Sequence, residues 1–344
     1  MRLPTVQVLR PDGSVTGFHD FSLDQVRGFH RDLVLARRID TEAFALQRHG
    51  ELGLWAPMLG QEAAQIGSGR ALGPDDFVFP SYREHAVAWC RGIDPAHLLG
   101  LFRGTSLGGW DPAEYGYALP AIIIGAQTLH AVGYAMGLSI EGREAAAVAY
   151  FGDGATSEGD TMEAFAWAAS YHAPVVFFCQ NNQYAISVPL ERQTRVPIAQ
   201  RAAGFGFEGV RVDGNDVLAV HQVTTAALER ARDGGGPTLI EAVTYRMGAH
   251  TTSDDPSRYR DPHETDAWRE RDPLLRLQLL LEQTDAGFAD FDAEVQAEAD
   301  RLGAHLREAC RALPEPDLAE LFRHVYADLP AELIAQREEV LSWS

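Results

Sequence analysis

The chain of 344 residues contains no lysine; all 29 of its basic residues are arginine. A P-loop nucleotide site normally sets a lysine on the phosphates, and a pyridoxal-phosphate enzyme needs one for its Schiff base, so both classes are disfavoured. Cysteine is nearly as scarce. Cys90, Cys179 and Cys310 lie far apart with no Cys-x-x-Cys pair, which argues against a zinc site and a disulfide framework and favours a reducing cytoplasm. No apolar run is long enough to span a bilayer. The start, MRLPTVQVLRPDGS, lacks the apolar core of a signal peptide and the Arg/Ser-rich amphipathic character of a transit peptide. The Arg- and Ala-rich composition suggests a GC-rich bacterial genome, so a bacterial cytoplasm is the expected location. Positive charge is in deficit too: 49 acidic residues leave a net charge of −20. Such a surface repels nucleic acid and anionic lipid, so neither is an expected partner. The histidines His49, His97, His172, His221 and His263 show no metal-ligand spacing.

What the chain does have is a core-forming share of apolar residues, 46%, enough for one or two domains. Its most informative feature is Gly152-Asp153-Gly154 followed by Asn181-Asn182. The triplet ends a strand-like run, Ala145 to Phe151, and the Asn pair ends another, Pro174 to Gln180. Between them Glu158 to His172 carries Met162, Phe165, Ala166 and Ala169 at helical spacing. Strand, turn, helix, strand places a carboxylate and a carboxamide together at the carboxyl ends of two parallel strands, where ligands of open α/β sheets bind. Magnesium takes about six oxygen ligands and often shares them with phosphate. Asp153 and Asn182, with a backbone carbonyl such as that of Tyr184, suit it. The glycines allow close backbone approach, and the following helix offers amide hydrogens and a positive dipole end. Either piece alone is ordinarily a turn. A nicotinamide fingerprint fails because Ser157 stands where G-x-G-x-x-G needs glycine.

Elsewhere, residues 1–20 read as an extended arm with a turn at Pro11-Asp12-Gly13. The spacing predicts a helix over Leu23 to Arg48 with Gly50 as a stop. Further helices are expected over 61–72, 95–102, 127–140 and 217–232, and strands over 210–212 and 237–246. After about residue 285 only helical segments remain. The alternation argues a doubly wound, mostly parallel α/β sheet flanked by helices, with an N-terminal helical segment and a C-terminal helical tail. The expected division is 1–50 for the arm and helix, 51–285 for the α/β domain, and 286–344 for the tail.

The stretch GDGATSEGD…FFCQNNQYAIS resembles the thiamine-diphosphate-binding motif. More narrowly it is similar to the α subunit of the decarboxylating component of the 2-oxo acid dehydrogenase complexes. Gly60-Gln61-Glu62, Ser81-Tyr82-Arg83-Glu84, IIIGAQ (122–127), RVDGND (211–216) and TYRMGAHTTSDDPSRYR (244–260) extend the resemblance over roughly residues 30 to 285. The resemblance implies the thiamine-diphosphate-binding fold, with thiamine diphosphate and Mg2+ as cofactors. Tyr82, Arg83, Gly152, Asp153, Gly154, Ala155, Gln180, Asn182 and His250 would bind the cofactor. Ile122 would offer it a backbone carbonyl and Ile124 a wedge. Asp153, Asn182 and the Tyr184 carbonyl would hold the metal, and His250 and Tyr82 would serve catalysis. Arg83 suits a diphosphate because a planar guanidinium binds phosphate bidentately. Glu84 and His85 read as scaffold.

The resemblance further implies oxidative decarboxylation of a small 2-oxo acid, with transfer of the acyl group to a lipoyl group on an acyltransferase partner. It assigns the pyrimidine-binding domain to a separate β subunit in an α2β2 heterotetramer. NNQYAIS, RVDGND and TSDDPSRYR look closer to branched-chain than to pyruvate members; pyruvate and acetoin dehydrogenases stay open. So does a scaffold subunit that keeps the fold without turnover. Gln180 stands where branched-chain members often carry arginine. Gly109 to Tyr117 replaces a more usual Met- and His-containing stretch. Ile122 and Ala126 replace hydroxyl residues around a monovalent cation, so no potassium site is expected there.

Overall fold

A computed structural model describes residues 3–16, 20–106, 108–120, 122–315, 317–323 and 325–343; the parts of the expected arm at 1–2 and 17–19 lie outside these. Six strands form one parallel sheet: β1 (Thr5–Val6), β2 (Phe77–Phe79), β3 (Ala147–Gly152), β4 (Val175–Asn181), β7 (Glu208–Asp213) and β8 (Thr238–Val243), in the order β1-β7-β8-β4-β3-β2. A separate antiparallel hairpin joins β5 (Tyr184–Ala185) to β6 (Val188–Pro189). The expected doubly wound sheet is therefore present, with the short strand β2 and the hairpin as additions.

Strands β3, β4 and β8 are buried on both faces, and the period of two along them sorts side chains between two cores. Val148, Tyr150, Val176, Phe178, Ile240 and Ala242 face one way. There they meet Val26, Phe29, Leu33 and Ala36 of the helix Leu23–Arg48, Ala63, Ala64 and Ile66 of the helix Glu62–Gly69, and the helix Val217–Arg232. Ala147, Ala149, Phe151, Val175, Phe177 and Cys179 face the other way, onto Ala131, Val132 and Ala135 of the helix Ala126–Glu141 and Ala164, Phe165 and Ala168 of the helix Gly159–Ser170. At about 25 cal/mol per Å2 of apolar surface, each fully buried Phe or Val contributes on the order of 2 kcal/mol before entropy is counted.

Local chemistry explains the boundaries. Leu23–Arg48 starts with a capping box, Ser22 and Gln25 each accepting from the other's backbone N–H. It stops before Gly50, whose φ of +81° glycine adopts without strain. The first residues are less free than their reading as an arm implies. Thr5 and Val6 pair with Arg211 and Val212, and the buried Asp216 accepts from the backbone N–H of both Val8 and Leu9 at 2.6 Å. The same carboxylate caps the helix Val217–Arg232. The helix Phe288–Ala312 packs along Leu23–Arg48, with Val295 and Ala299 against Val34 and Leu35.

Candidate functional site

The carboxyl ends of β3 and β4 lie side by side, with Gly152 in register with Gln180. The chain leaves both strands at adjacent points, so Asp153 and Asn182 arrive together. They line one cavity of about 480 Å3. Its wall also takes in Gln61, Tyr82, Arg83, Glu84, Ile122, Ile124, Gly152, Gly154, Ala155, Gln180, Tyr184, Arg246, His250 and Thr251. Every residue expected at the site from the sequence therefore lines the same hollow.

Asp153 is 1% exposed. Burial pushes its carboxyl up to about 6, opposed by the hydrogen bond from Gln193, by the nearby backbone N–H groups of residues 153 and 182, and by the charge of Arg246. Its Oδ2 accepts from Gln193 Nε2 at 2.6 Å. Its Oδ1 is buried and has no partner. Asn182 donates from Nδ2 to Gln61 Oε1 at 3.1 Å, which turns its own carbonyl oxygen the other way. That oxygen accepts only a long bond, 3.3 Å, from the Tyr184 N–H. The Tyr184 carbonyl accepts from Arg246 Nη1 at 3.1 Å, which commits one of its two lone pairs. Among the described residues no three His, Cys, Asp or Glu side chains gather into a metal-binding cluster. The oxygen donors here are one carboxylate, one carboxamide and backbone, a hard set that suits a divalent cation of the magnesium type. An unpaired buried carboxylate oxygen is costly unless a cation or donor meets it, so the residues present fit such an ion.

Two buried arginines give the cavity wall its positive charge. Arg83, 4% exposed, donates to the Pro57 carbonyl at 2.5 Å and to the His250 carbonyl at 2.8 Å. Its Nη2 also lies 3.3 Å from His250 Nδ1. Arg246, 1% exposed, holds the hairpin through the Tyr184 and Ile186 carbonyls, while its Nε has no partner. Burial first, then the neighbouring Arg83 and Arg260, lower its pKa. Among the described residues neither guanidinium pairs with a carboxylate within ion-pair distance, and two buried cations that feel each other's charge favour an anionic ligand. His250 meets Tyr82 edge to face at 6.0 Å. Burial, then Arg83 and Arg246, push its imidazole down to about 4, so it is neutral at pH 7. A Cβ at Gly152 would stand in open space, and one at Gly154 would strike Ala185 Cβ at 2.9 Å. Gly154 is thus what lets the hairpin settle beside Asp153.

Three expected residues carry less than their motif suggests. Gln180 is tied into the wall, donating to Glu84 at 2.6 Å and accepting from Gln65 at 3.1 Å. Ile122 and Ile124 line the cavity but are 68% and 39% exposed at its mouth. Glu84 and His85 are buried scaffold: Glu84 accepts from Ser81, and His85 bonds the Ala56 carbonyl and stacks on Trp55 at 4.1 Å. Arg246, Gln193 and the bond between Gln61 and Asn182 had no role in the sequence reading. Arg246 lies within a quoted motif, and its position just beyond β8 was the one available signal.

A parallel sheet with an acid–amide pair at its carboxyl edge and two buried arginines in the same cavity wall is the architecture of an α/β protein with a site suited to an anionic ligand and a cation. Residues 30–316 match the family model of the dehydrogenase E1 component, and the chain belongs to that family. It is 46% identical to a 3-methyl-2-oxobutanoate dehydrogenase subunit alpha of Mycobacterium tuberculosis, over 98% of this chain and 94% of the relative. It is 39% identical to a pyruvate dehydrogenase E1 component subunit alpha of Bacillus subtilis, over 97% and 91%. The corresponding protein of Staphylococcus aureus is likewise 39% identical, over 97% and 91%.

Proposed function

We propose that the chain is the α subunit of a 2-oxo acid dehydrogenase that uses thiamine diphosphate and Mg2+, and that it acts on branched-chain 2-oxo acids. The observation that carries this reading is the unpartnered, buried Oδ1 of Asp153 in a cavity that Asn182, Arg83 and Arg246 also line. When bound, the cofactor supplies a carbon nucleophile and an electron sink for loss of CO2 from the substrate. The chain's own part is to hold and shield. Asp153 and Asn182 would hold the cation that accompanies the diphosphate, with the free lone pair of the Tyr184 carbonyl as a further donor. Arg83 and Arg246 would offset the remaining phosphate charge. His250, neutral and anchored by Arg83 and by Asp254, which accepts from its N–H at 2.8 Å, can donate or accept a hydrogen bond near the reacting group. Ile124, with Ile122 beside it, would press on the cofactor from the mouth.

The exposed isoleucines support a further part of the reading. A hydrophobic lip around a cavity in water is costly to leave open, and a β subunit closing over it would complete the site in an α2β2 assembly. The acyl group would then leave on a lipoyl arm of the acyltransferase component. The branched-chain preference rests on the likeness to the mycobacterial relative.

With the β subunit present, turnover of 2-oxoisovalerate should exceed that of pyruvate, and the isolated chain should be inactive. A pyruvate preference above about tenfold, roughly 1.4 kcal/mol of transition-state discrimination, would overturn the substrate assignment. Failure of the complex to bind thiamine diphosphate with Mg2+ in a calorimetric titration would favour a scaffold role instead.

A further inference from the structure

Behind the cavity wall, Gln193 makes an arrangement that the site's activity does not require by itself. It ends the short helix Leu190–Gln193, which follows directly from the β5–β6 hairpin. Its Nε2 donates twice, to Asp153 Oδ2 at 2.6 Å and to the Val188 carbonyl at 3.1 Å. With both hydrogens of the amide engaged on oxygen acceptors, the carboxamide cannot turn over without setting oxygen against oxygen. Its own Oε1 is buried and unpartnered, so a flip would gain nothing at Asp153. Asp153 is thereby held with Oδ2 drawn toward Gln193 and Oδ1 left without a partner.

We propose that Gln193 is a positioning residue that makes Asp153 a one-oxygen ligand and so selects a small, octahedral cation over calcium. Calcium takes six to eight oxygens and accepts bidentate carboxylates, whereas magnesium demands compact geometry with single oxygens. A carboxylate whose second oxygen is held by Gln193 at 2.6 Å must break or bend that bond to turn both oxygens onto one ion. The clamp also ties the ion site to the hairpin: the segment that delivers the Tyr184 carbonyl to the cavity is the one whose end holds Asp153. This inference rests on the reading of Asp153 as a metal ligand.

The test uses the chain assembled with its β subunit and thiamine diphosphate. Mn2+ binding is followed by electron paramagnetic resonance, and Mg2+ and Ca2+ are competed against it. In the wild-type complex Mn2+ should bind and Mg2+ should displace it better than Ca2+; Asp153→Asn should abolish binding. Gln193→Leu should weaken Mg2+ by about tenfold, the lower range for loss of a group that orients a metal ligand, and should narrow the Mg2+ over Ca2+ preference. Gln193→Asn, which keeps the amide but is one carbon too short to reach Oδ2, should do the same with an unchanged melting temperature. An unaltered Mg2+/Ca2+ ratio in both variants, with Mn2+ binding and the Asp153→Asn loss intact, would overturn the role of Gln193 alone. Mn2+ binding that survives Asp153→Asn would overturn the metal-ligand reading and the inference with it.

Discussion

Asp40 and Asp153 are both buried aspartates whose carboxyls burial pushes up to about 6, yet they are built for opposite ends. Asp40 is saturated. Its Oδ1 accepts from Trp55 Nε1 at 2.8 Å and from the Met58 N–H at 3.0 Å, and its Oδ2 accepts from the Leu59 N–H at 3.1 Å. It ties the helix Leu23–Arg48 to the loop that carries Pro57 under Arg83 and leads to Gln61 under Asn182. Asp153 has one oxygen held and the other bare. A shifted pKa does not separate the structural carboxylate from the functional one; the count of unmet hydrogen bonds does.

The contrast can be broken most forcefully at Asp153. Asp153→Ala should lower thiamine diphosphate and Mg2+ affinity of the assembled complex by about a thousandfold, roughly 4 kcal/mol, measured by calorimetry. The fold should survive, because the change removes a buried charge that is only half satisfied. Asp40→Ala should do the reverse at first hand. It orphans three buried donors and should cost about 3 kcal/mol of stability in urea denaturation, with cofactor affinity falling only as the 55–60 loop loosens. If Asp40→Ala leaves stability unchanged, the knot is not what holds the loop.

Smaller effects sharpen the comparison. The folded pKa of Asp40, about 6, lies above its ordinary 3.8, so the native state takes up this proton before the unfolded chain does. The contribution of Asp40 is therefore lost as pH rises through about 6 and regained on acidification, by up to about 1.4 kcal/mol per pH unit between the two values. Between pH 7 and pH 5 the stability of wild type relative to Asp40→Asn should thus rise by about 1 kcal/mol, and a flat difference would show that Asp40 titrates normally. Gln61→Leu frees the Asn182 amide to rotate and should weaken Mg2+ binding by about tenfold or less, without a matching loss in melting temperature.

Much of this was open to reading from residues in order. The spacing of apolar residues marks Leu23–Arg48 and the core strands, because a helix face and a buried strand are local patterns. Asp153 and Asn182 were legible for the same reason: one strand–helix–strand unit brings them together. What was hidden is long-range. Gln61 meets Asn182 from 121 residues away, and Gln193 meets Asp153 from 40 away after a hairpin of two-residue strands. Asp40 sits one position beyond Ile39 on a helix whose apolar spacing says nothing about a polar knot beneath it. Strand β2, three residues long, is too short to show a period. Arg246 was in view, but a single arginine after a strand does not reveal that its guanidinium is buried beside another.

The docking of Thr5–Val6 against β7, with Asp216 gripping the next two amides, has a practical side. Clipping nine residues from the front would bare a strand edge of the sheet and leave Asp216 with two fewer donors in a dry setting. Purification tags are safer at the opposite terminus, where the helix Ala331–Leu341 has no fully buried side chain.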